Sequence, residues 1–188
     1  KVIAHGPTRA EAAGRLALAL ERLHLAGVVT NRDFLAATLR TPEFVAGDTT
    51  TDFIARVGPD VRGPVAETNR ACLIAALWLQ HANRSSDPVW GFAPSNWRNA
   101  RLPSERVVLR PDSTSDDIDV AYRVRRDGRV VFDSGPTAVV HHVGGSRVGH
   151  GVIDVAIDGR RTVAQVTQAG ARIYVQVVGG TIGLAVVP

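Results

Sequence analysis

The spacing of hydrophobic positions changes twice along the chain and divides it into three regions. In residues 1–57 apolar residues recur at helical spacing, in short runs separated by turn signals. Residues 58–64 contain two glycines and two prolines without periodicity, which is typical of a linker between domains. Residues 65–188 begin with a strongly apolar run and continue with alternating apolar and polar positions.

The first region predicts a short strand over residues 1–5, followed by helices. Thr8 and Glu11 have the spacing of a capping box, whose side chains satisfy free amide groups at a helix start. The helix that follows is expected over about 9–24. Its apolar stripe comprises Leu16, Leu20 and Leu23.

Two further helix starts follow closely. Thr30 is expected to cap a second helix, and Thr41 precedes Pro42, which suits the first position of another helical turn. The predicted buried face of the second helix comprises Phe34, Leu35, Thr38 and Leu39. One strand and three short helices bury too little surface to be stable alone, so we expect this region to close a larger domain.

The third region begins with a helix, predicted over about 65–83, that is apolar on every side. The nine residues from Ala71 to Leu79 are all apolar. A helix of this kind has to be enclosed, and nine residues are too few to span a membrane, which needs roughly 20. Protein must therefore surround it.

The material that surrounds it is predicted to be an antiparallel sheet over about 105–188. Asp127-Gly128 and Asp158-Gly159 each lie between alternating apolar runs, which is a strong hairpin signal. We expect seven or eight strands joined by short turns and curled around the helix. The predicted fold class is therefore α+β.

Residues 84–104, between the helix and the sheet, contain two of the three tryptophans but no periodicity. A loop of this length is usually functional or disordered. Trp90, Phe92, Trp97 and Arg98 are of the residue types enriched at the energetic centres of protein interfaces. The residues alone leave open whether the tryptophans bind a partner or fold back as a lid over the sheet.

Composition limits the remaining possibilities. Of 188 residues, 45% are hydrophobic and 21% are charged, and there is a single cysteine, Cys72. A lone cysteine fits a reducing compartment, so we expect a cytoplasmic location. The net charge of +4 comes with arginines that we interpret as scattered over solvated faces. We therefore expect neither nucleic acid nor a membrane as a partner.

No catalytic residue, cofactor ligand or metal ligand is predicted. Adjacent strand residues point to opposite faces, so His141 and His142 should not share an ion. Cys72 is interpreted as a small core residue, and Ser146 lacks the setting of a nucleophile. The carboxylates Asp116, Asp117 and Asp119 are interpreted as a solvated strand face.

Residues 1–54 resemble the C-terminal end of the biotin carboxylase domain of acyl-CoA carboxylase α-subunits. The matching positions are Lys1-Val2-Ile3, Gly6, Thr8-Arg9, Gly27, Thr30-Asn31, Phe34-Leu35, Pro42, Phe44, Gly47 and Thr51. The resemblance implies that residues 1–57 are the C-terminal piece of an ATP-grasp domain.

Residues 65–188 are similar to the domain of the same subunits that mediates between carboxylase and carboxyltransferase, called BT. The segment Trp97-Arg98-Asn99 resembles the family's hook, and "DVAIDGRRTVAQVTQAG" resembles its strands. The resemblance implies an antiparallel barrel around one long helix. It also implies that the carboxyltransferase β-subunit contacts the loop, at Trp90, Phe92, Trp97, Arg98 and Asn99.

The resemblance further implies what the parent subunit uses and binds. Such a subunit carboxylates biotin with ATP, bicarbonate and Mg²⁺ or Mn²⁺. It also contains the remainder of the biotin carboxylase domain and a biotin carboxyl carrier domain. This chain has one lysine, Lys1, and no methionine for a Met-Lys-Met biotin acceptor. We therefore expect these residues to bind none of the cofactors.

Two alternatives stay open at this point. A helix wrapped by antiparallel sheet also describes hot-dog acyl-CoA thioesterases, for which Glu67, near the helix start, is the one candidate acid. A free-standing barrel that binds peptides is the other.

Overall fold

The computed structural model describes residues 1–59, 65–85, 103–147 and 149–188. These residues form two compact units. The first comprises Lys1–Val65 and Val178–Thr181, and the second comprises Ala66–Val177 and Ile182–Pro188. None of the helices in the described part of the chain is long and apolar enough to cross a membrane.

The first unit contains four helices: α1 (Arg9–Arg22), α2 (Arg32–Leu39), α3 (Pro42–Ala46) and α4 (Phe53–Val57). Two of the predicted caps are confirmed. Thr8 Oγ1 accepts a hydrogen bond from the Glu11 amide at 3.2 Å, and Thr41 Oγ1 accepts one from the Phe44 amide at 3.3 Å. Helix α2 is instead capped at Asn31, whose side chain makes no capping hydrogen bond.

The predicted strand over residues 1–5 is wrong. No regular structure forms before Arg9, and Ile3 is 77% exposed. A strand is stabilised by hydrogen bonds to a neighbour, and none of the described strands pairs with this segment.

The predicted apolar faces of α1 and α2 are only partly correct. The small core of this unit is built mainly from alanines on α1 and α2, because small side chains let two short helices approach closely. Leu23 and Leu35, both predicted to be buried, are 39% and 40% exposed. The buried members of this core are Ala13, Ala17, Leu20, Ala36 and Leu39, with Leu16 and Phe44 packed against them.

The second unit consists of helix α5 (Val65–Ser85) and eight strands. The strands are β1 (Glu105–Pro111), β2 (Ile118–Val124), β3 (Val130–Phe132), β4 (Thr137–Arg147), β5 (His150–Ile157), β6 (Arg160–Ala169), β7 (Arg172–Val177) and β8 (Gly180–Val187). They follow one another in sequence order around a closed barrel, which β8 closes by pairing antiparallel to β1.

The hairpin turns form where the Asp-Gly pairs predict them. Asp158 and Gly159 both have positive φ, at 49° and 79°, as a tight two-residue hairpin turn requires. The register then continues without a break from the pair Ile157 and Arg160 to the pair His150 and Thr167. Since each hairpin is local in sequence, the turns determine which strands become neighbours.

Helix α5 lies inside the barrel. On the helix, Ile74 and Leu77 are 0% and 1% exposed, and the inward residues of the strands enclose them in one continuous core. Each large side chain buried in this way contributes roughly 1.5–3 kcal/mol. The completely buried strand residues are Leu109, Ile153, Val155, Ala164, Val166, Ile173, Val175 and Leu184. The prediction of an antiparallel barrel around a central helix is confirmed.

Candidate partner-binding end of the barrel

Helix α5 crosses the barrel from one end to the other. Near its start, Glu67 Oε1 lies 3.3 Å from Nη1 of Arg160, the first residue of β6. Near its end, the Trp78 indole Nε1–H donates to Gln168 Oε1 at 3.2 Å, and Gln168 is close to the last residue of β6. The helix therefore ends at Ser85 beyond the barrel end at which β6 ends.

The chain leaves the barrel and returns to it at this same end. Strand β1 begins at Glu105, which pairs with Tyr122 near the end of β2. In an antiparallel barrel whose strands follow in sequence order, the start of β1 lies at the same end as the ends of β2, β4 and β6. We call this the loop end of the barrel, defined by Trp78–Ser85 of α5, the start of β1 and the turns that follow β2, β4 and β6.

Contacts on both faces of the sheet fasten the start of β1. On the outer face, Ser104 Oγ donates to Asp133 Oδ2 at 2.7 Å and accepts a hydrogen bond from Arg123 Nε at 2.8 Å. On the inner face, burial, together with the nearby Glu105 carboxylate, raises the pKa of the Tyr122 hydroxyl. The returning chain is therefore held in a defined position.

A close approach of backbone and indole fastens the end of α5. The Trp78 ring packs where Gly151 leaves room, since a Cβ built at Gly151 would lie 2.7 Å from Trp78 Cη2 and 2.5 Å from the carbonyl oxygen of Gly144. One turn further along, burial, together with Arg84 and His142, lowers the pKa of His81. The helix end is therefore packed against β4, β5 and β6.

The strict alternation expected at His141 and His142 is broken. Val140 pairs with Val155 and His142 with Asp154, so a β-bulge places one extra residue in β4. Both histidines are exposed, and with Arg161 they lower the pKa of Asp154, the Arg161 hydrogen bond having the largest effect. The part of the chain that the structure describes contains no group of three potential ligands arranged to hold a metal ion.

The predicted interface residues Trp90, Phe92, Trp97, Arg98 and Asn99 lie outside the described residues. They remain predictions. The described residues establish only where the chain that carries them leaves the barrel and returns.

Other residues considered from the sequence have structural surroundings. Cys72 is 1% exposed, and burial raises the pKa of its thiol to about 12, so the reactive thiolate is disfavoured. The carboxylates of Asp117 and Asp119 pair with Arg110 and Arg106 on the exposed face of β1 and β2. The Ser146 side chain lies outside the described residues.

Glu67 is the candidate acid of the thioesterase alternative. It is 9% exposed, and its Oε1 pairs with Arg160. Its Oε2 is buried without a hydrogen-bond partner. Beside it, Arg70 donates to the carbonyl oxygen of Arg160 and to Thr162 Oγ1. The arrangement ties the helix start to β6.

Sequence reasoning missed two arginine features. Arg32, interpreted as one of many solvated arginines, is 5% exposed and donates to the Leu23 carbonyl oxygen at 2.8 Å and to Asp33. The end of β2 and the turn after it carry four arginines within the seven residues 123–129. The local count of arginines would have revealed this cluster.

Comparison with known proteins identifies the family. The family model of the methylcrotonyl-CoA carboxylase α-subunit BT domain matches residues 68–188, and that of the biotin carboxylase C-terminal domain matches residues 1–56. The chain belongs to the family of biotin-dependent acyl-CoA carboxylase α-subunits. This membership confirms the resemblance and favours it over the thioesterase and free-standing barrel alternatives.

Two similar proteins are both named propionyl-CoA carboxylase α chain. The propionyl-CoA carboxylase α chain of Ruegeria pomeroyi is 31% identical over 140 residues, which cover 72% of this chain and 20% of the relative. The mitochondrial propionyl-CoA carboxylase α chain of Mus musculus is 28% identical over an alignment covering 95% of this chain and 25% of the relative. The chain therefore spans about a fifth to a quarter of the length of these carboxylase subunits.

The side chains of the described residues do not fit ATP or biotin. Lys1 is the one lysine available for phosphate groups, and no Met-Lys-Met segment exists in the sequence. The barrel interior is filled by side chains such as Leu77 and Phe132, each 1% exposed, which provide no polar group for a nucleotide. We therefore derive no catalytic step through ATP or biotin for this chain.

Proposed function

We propose that this chain holds a biotin carboxylase and a carboxyltransferase together within an acyl-CoA carboxylase. In this proposal the parent α-subunit carboxylates biotin with ATP, bicarbonate and Mg²⁺ or Mn²⁺. The carboxyltransferase β-subunit then passes the carboxyl group to an acyl-CoA. Residues 1–188 position the two enzymes relative to each other and do not themselves catalyse a step.

One observation carries the proposal. The chain leaves the barrel after α5 and returns to it at the start of β1, and both points lie at the same, well-packed end of the barrel. Trp78 anchors the departing helix through Gln168, and Ser104 anchors the returning strand through Arg123 and Asp133. A loop held at both of its ends loses less conformational entropy on binding than a free segment, which favours affinity. Its aromatic residues are suited to be the buried anchors of such an interface.

The physical benefit is a controlled distance. A carrier that moves between two sites reaches the second at an effective concentration that falls as the span increases. A barrel filled by its own helix deforms little, because packed protein interiors have low compressibility. We infer that it sets the separation between the site where biotin is carboxylated and the site where the carboxyl group is transferred.

The first unit supports the proposed contact with the rest of the carboxylase domain. It exposes several large apolar side chains, which contact with further protein would remove from water. The residues concerned are Val2, Ile3, Val28, Val29 and Ile54. We propose that the preceding part of that domain covers them, and that the biotin carboxyl carrier domain belongs to the same subunit. The lone cysteine supports a cytoplasmic location.

The test is co-purification of the full-length α-subunit with its carboxyltransferase β-subunit. Trp97→Ala is expected to weaken the complex at least tenfold, since loss of a central aromatic anchor costs about 2 kcal/mol or more. Ser95→Ala, two positions away, serves as the matched control and should leave binding unchanged. Intact β-subunit binding by both Trp97→Ala and Trp90→Ala would refute the proposal.

A further inference from the structure

The β2–β3 turn is a compact basic protrusion at the loop end. Residues 123–129, which comprise the last two residues of β2 and the turn that follows, read Arg-Val-Arg-Arg-Asp-Gly-Arg; they carry four positive charges and one negative charge, a net +3. The turn is closed by backbone hydrogen bonds from the Arg125 amide to the Arg129 carbonyl oxygen at 2.7 Å and from the Gly128 amide to the Arg125 carbonyl oxygen at 3.0 Å. Its arginines therefore project from a well-formed backbone.

Two of these arginines differ from the others on the barrel. Among barrel arginines whose side chains the structure describes, only Arg125 and Arg126 form no ion pair or side-chain hydrogen bond. Arg106, Arg110 and Arg161 illustrate the usual case, each paired with an aspartate on the adjacent strand or directly before it. Unpaired positive charge on the described part of the barrel thus concentrates at one turn.

This turn adjoins the place where the loop returns to the barrel. Arg123, near the end of β2 and just before the turn, donates to Ser104 Oγ at 2.8 Å, and Ser104 immediately precedes β1. A partner that binds residues 84–104 therefore approaches within reach of Arg125 and Arg126, whose side chains extend several ångströms into solvent.

We propose that Arg125 and Arg126 contact an acidic surface of the protein bound by the loop. The inference rests on the proposed function and specifies the partner: a carboxyltransferase subunit with aspartates or glutamates beside its binding site for the loop. Arginine suits this role because its guanidinium group pairs with carboxylates through two parallel hydrogen bonds.

The expected contribution is to the rate of association. Charges at the rim of an interface steer partners together and make association sensitive to salt, whereas buried anchors mainly control dissociation. The loop aromatics and the arginine turn should therefore be separable by kinetics. Aromatic substitutions should raise the dissociation rate, and arginine substitutions should lower the association rate.

The experiment measures association of the full-length α-subunit with the β-subunit by biolayer interferometry at two ionic strengths. Arg125→Gln with Arg126→Gln should slow association by roughly threefold to tenfold near 0.05 M salt. Near 0.5 M salt the effect should be less than about twofold, because dissolved ions then screen the attraction between charges over a few ångströms. Arg110→Gln with Arg161→Gln is the matched control, since it removes the same charge from two paired arginines at the opposite end of the barrel. The association rate of this control should stay within about twofold of that of the unaltered subunit at both ionic strengths.

Equal association rates for the two double variants at low salt would overturn the inference. Binding of a labelled RNA or DNA duplex is measured in parallel. Loss of that binding in the Arg125/Arg126 variant, with β-subunit association unchanged, would also overturn it and assign the turn to nucleic acid. If the unaltered α-subunit does not associate with the β-subunit, the proposed function itself fails.

Discussion

Trp78 and Gly151 are packed so closely that no side chain fits between them. The indole of Trp78, on α5, occupies the space that a Cβ of Gly151, on β5, would otherwise take. The same indole is held by its hydrogen bond to Gln168 on β6. Because Trp78 lies two turns before the end of α5, this packing determines the direction in which the helix leaves the barrel.

Gly151→Ala should therefore destabilise the barrel. The added methyl group would meet the Gly144 carbonyl oxygen and the Trp78 ring, and we expect a loss of about 1–3 kcal/mol in the free energy of unfolding. Gly144→Ala is the matched control, because the three atoms nearest to its added methyl group all belong to the His142 side chain, which can rotate away. Urea denaturation measures both. Equal losses for the two variants would contradict this account of the helix end.

Truncation of a buried side chain on the enclosed helix should strongly reduce the stability of the barrel. Leu77→Ala leaves a cavity in a core where Leu77 is 1% exposed, and we expect a loss of about 2–5 kcal/mol in the free energy of unfolding. Asn69→Ala, on the exposed side near the start of the same helix, should change it by less than about 0.5 kcal/mol. A Leu77→Ala loss below about 1 kcal/mol, measured by urea denaturation, would indicate that the helix is not enclosed.

The regularities that the sequence reveals are those set by local chemistry. Asp158-Gly159 predicts a hairpin because the turn itself requires positive φ, and the alternation around it shows which residues face inward. The all-apolar run around Ile74 predicts an enclosed helix, because a helix that is apolar on every side has no face suited to water. Eight hairpin-linked strands around one helix leave few other arrangements, so most of the barrel could be predicted.

The features that the sequence does not reveal depend on contacts between distant segments. The bulge in β4 shifts the register beside His142, and alternation alone gives no sign of it. Arg32 is buried because the Leu23 carbonyl oxygen, nine residues earlier, needs a donor. The strand expected at Val2-Ile3 has no pairing neighbour among the described strands. Each of these outcomes requires knowledge of the neighbouring segment.

The surroundings of Cys72 predict a dependence of stability on alkaline pH. Its thiol pKa is about 12 in the folded chain and 9.0 as an ordinary value, so between these pH values the unfolded chain has lost a proton that the folded chain retains. The free energy of unfolding should therefore fall as pH rises through this window, by about 1.4 kcal/mol per pH unit from this group. Below pH 9 the group should contribute no slope.

Comparison of the native chain with Cys72→Ala isolates this slope from that of other groups, including Tyr122. Urea denaturation at several pH values between 8 and 10.5 provides the measurement. Parallel pH profiles for the two proteins would show that the thiol is not buried as described.

Loss of the buried guanidinium should destabilise the first unit. Arg32→Ala removes the hydrogen bonds of a buried guanidinium to the Leu23 carbonyl oxygen and to Asp33, and a hydrogen bond to a charged group contributes about 1.5–3 kcal/mol. Arg22→Ala, an exposed arginine in the last turn of α1, is the control and should cost less than about 1 kcal/mol. Hydrogen exchange of the α1 and α2 amides reports the change. Similar exchange in both variants would contradict the importance assigned to Arg32.

Hydrogen exchange of the full-length α-subunit, with and without the carboxyltransferase β-subunit, tests the central claim most directly. The account predicts that the amides of residues 71–78 are strongly protected in both samples, because α5 is sealed in the barrel. It also predicts that protection of residues 86–102 rises when the β-subunit is added. Rapid exchange over residues 71–78, or unchanged exchange over 86–102 in a complex shown to have formed, would contradict it.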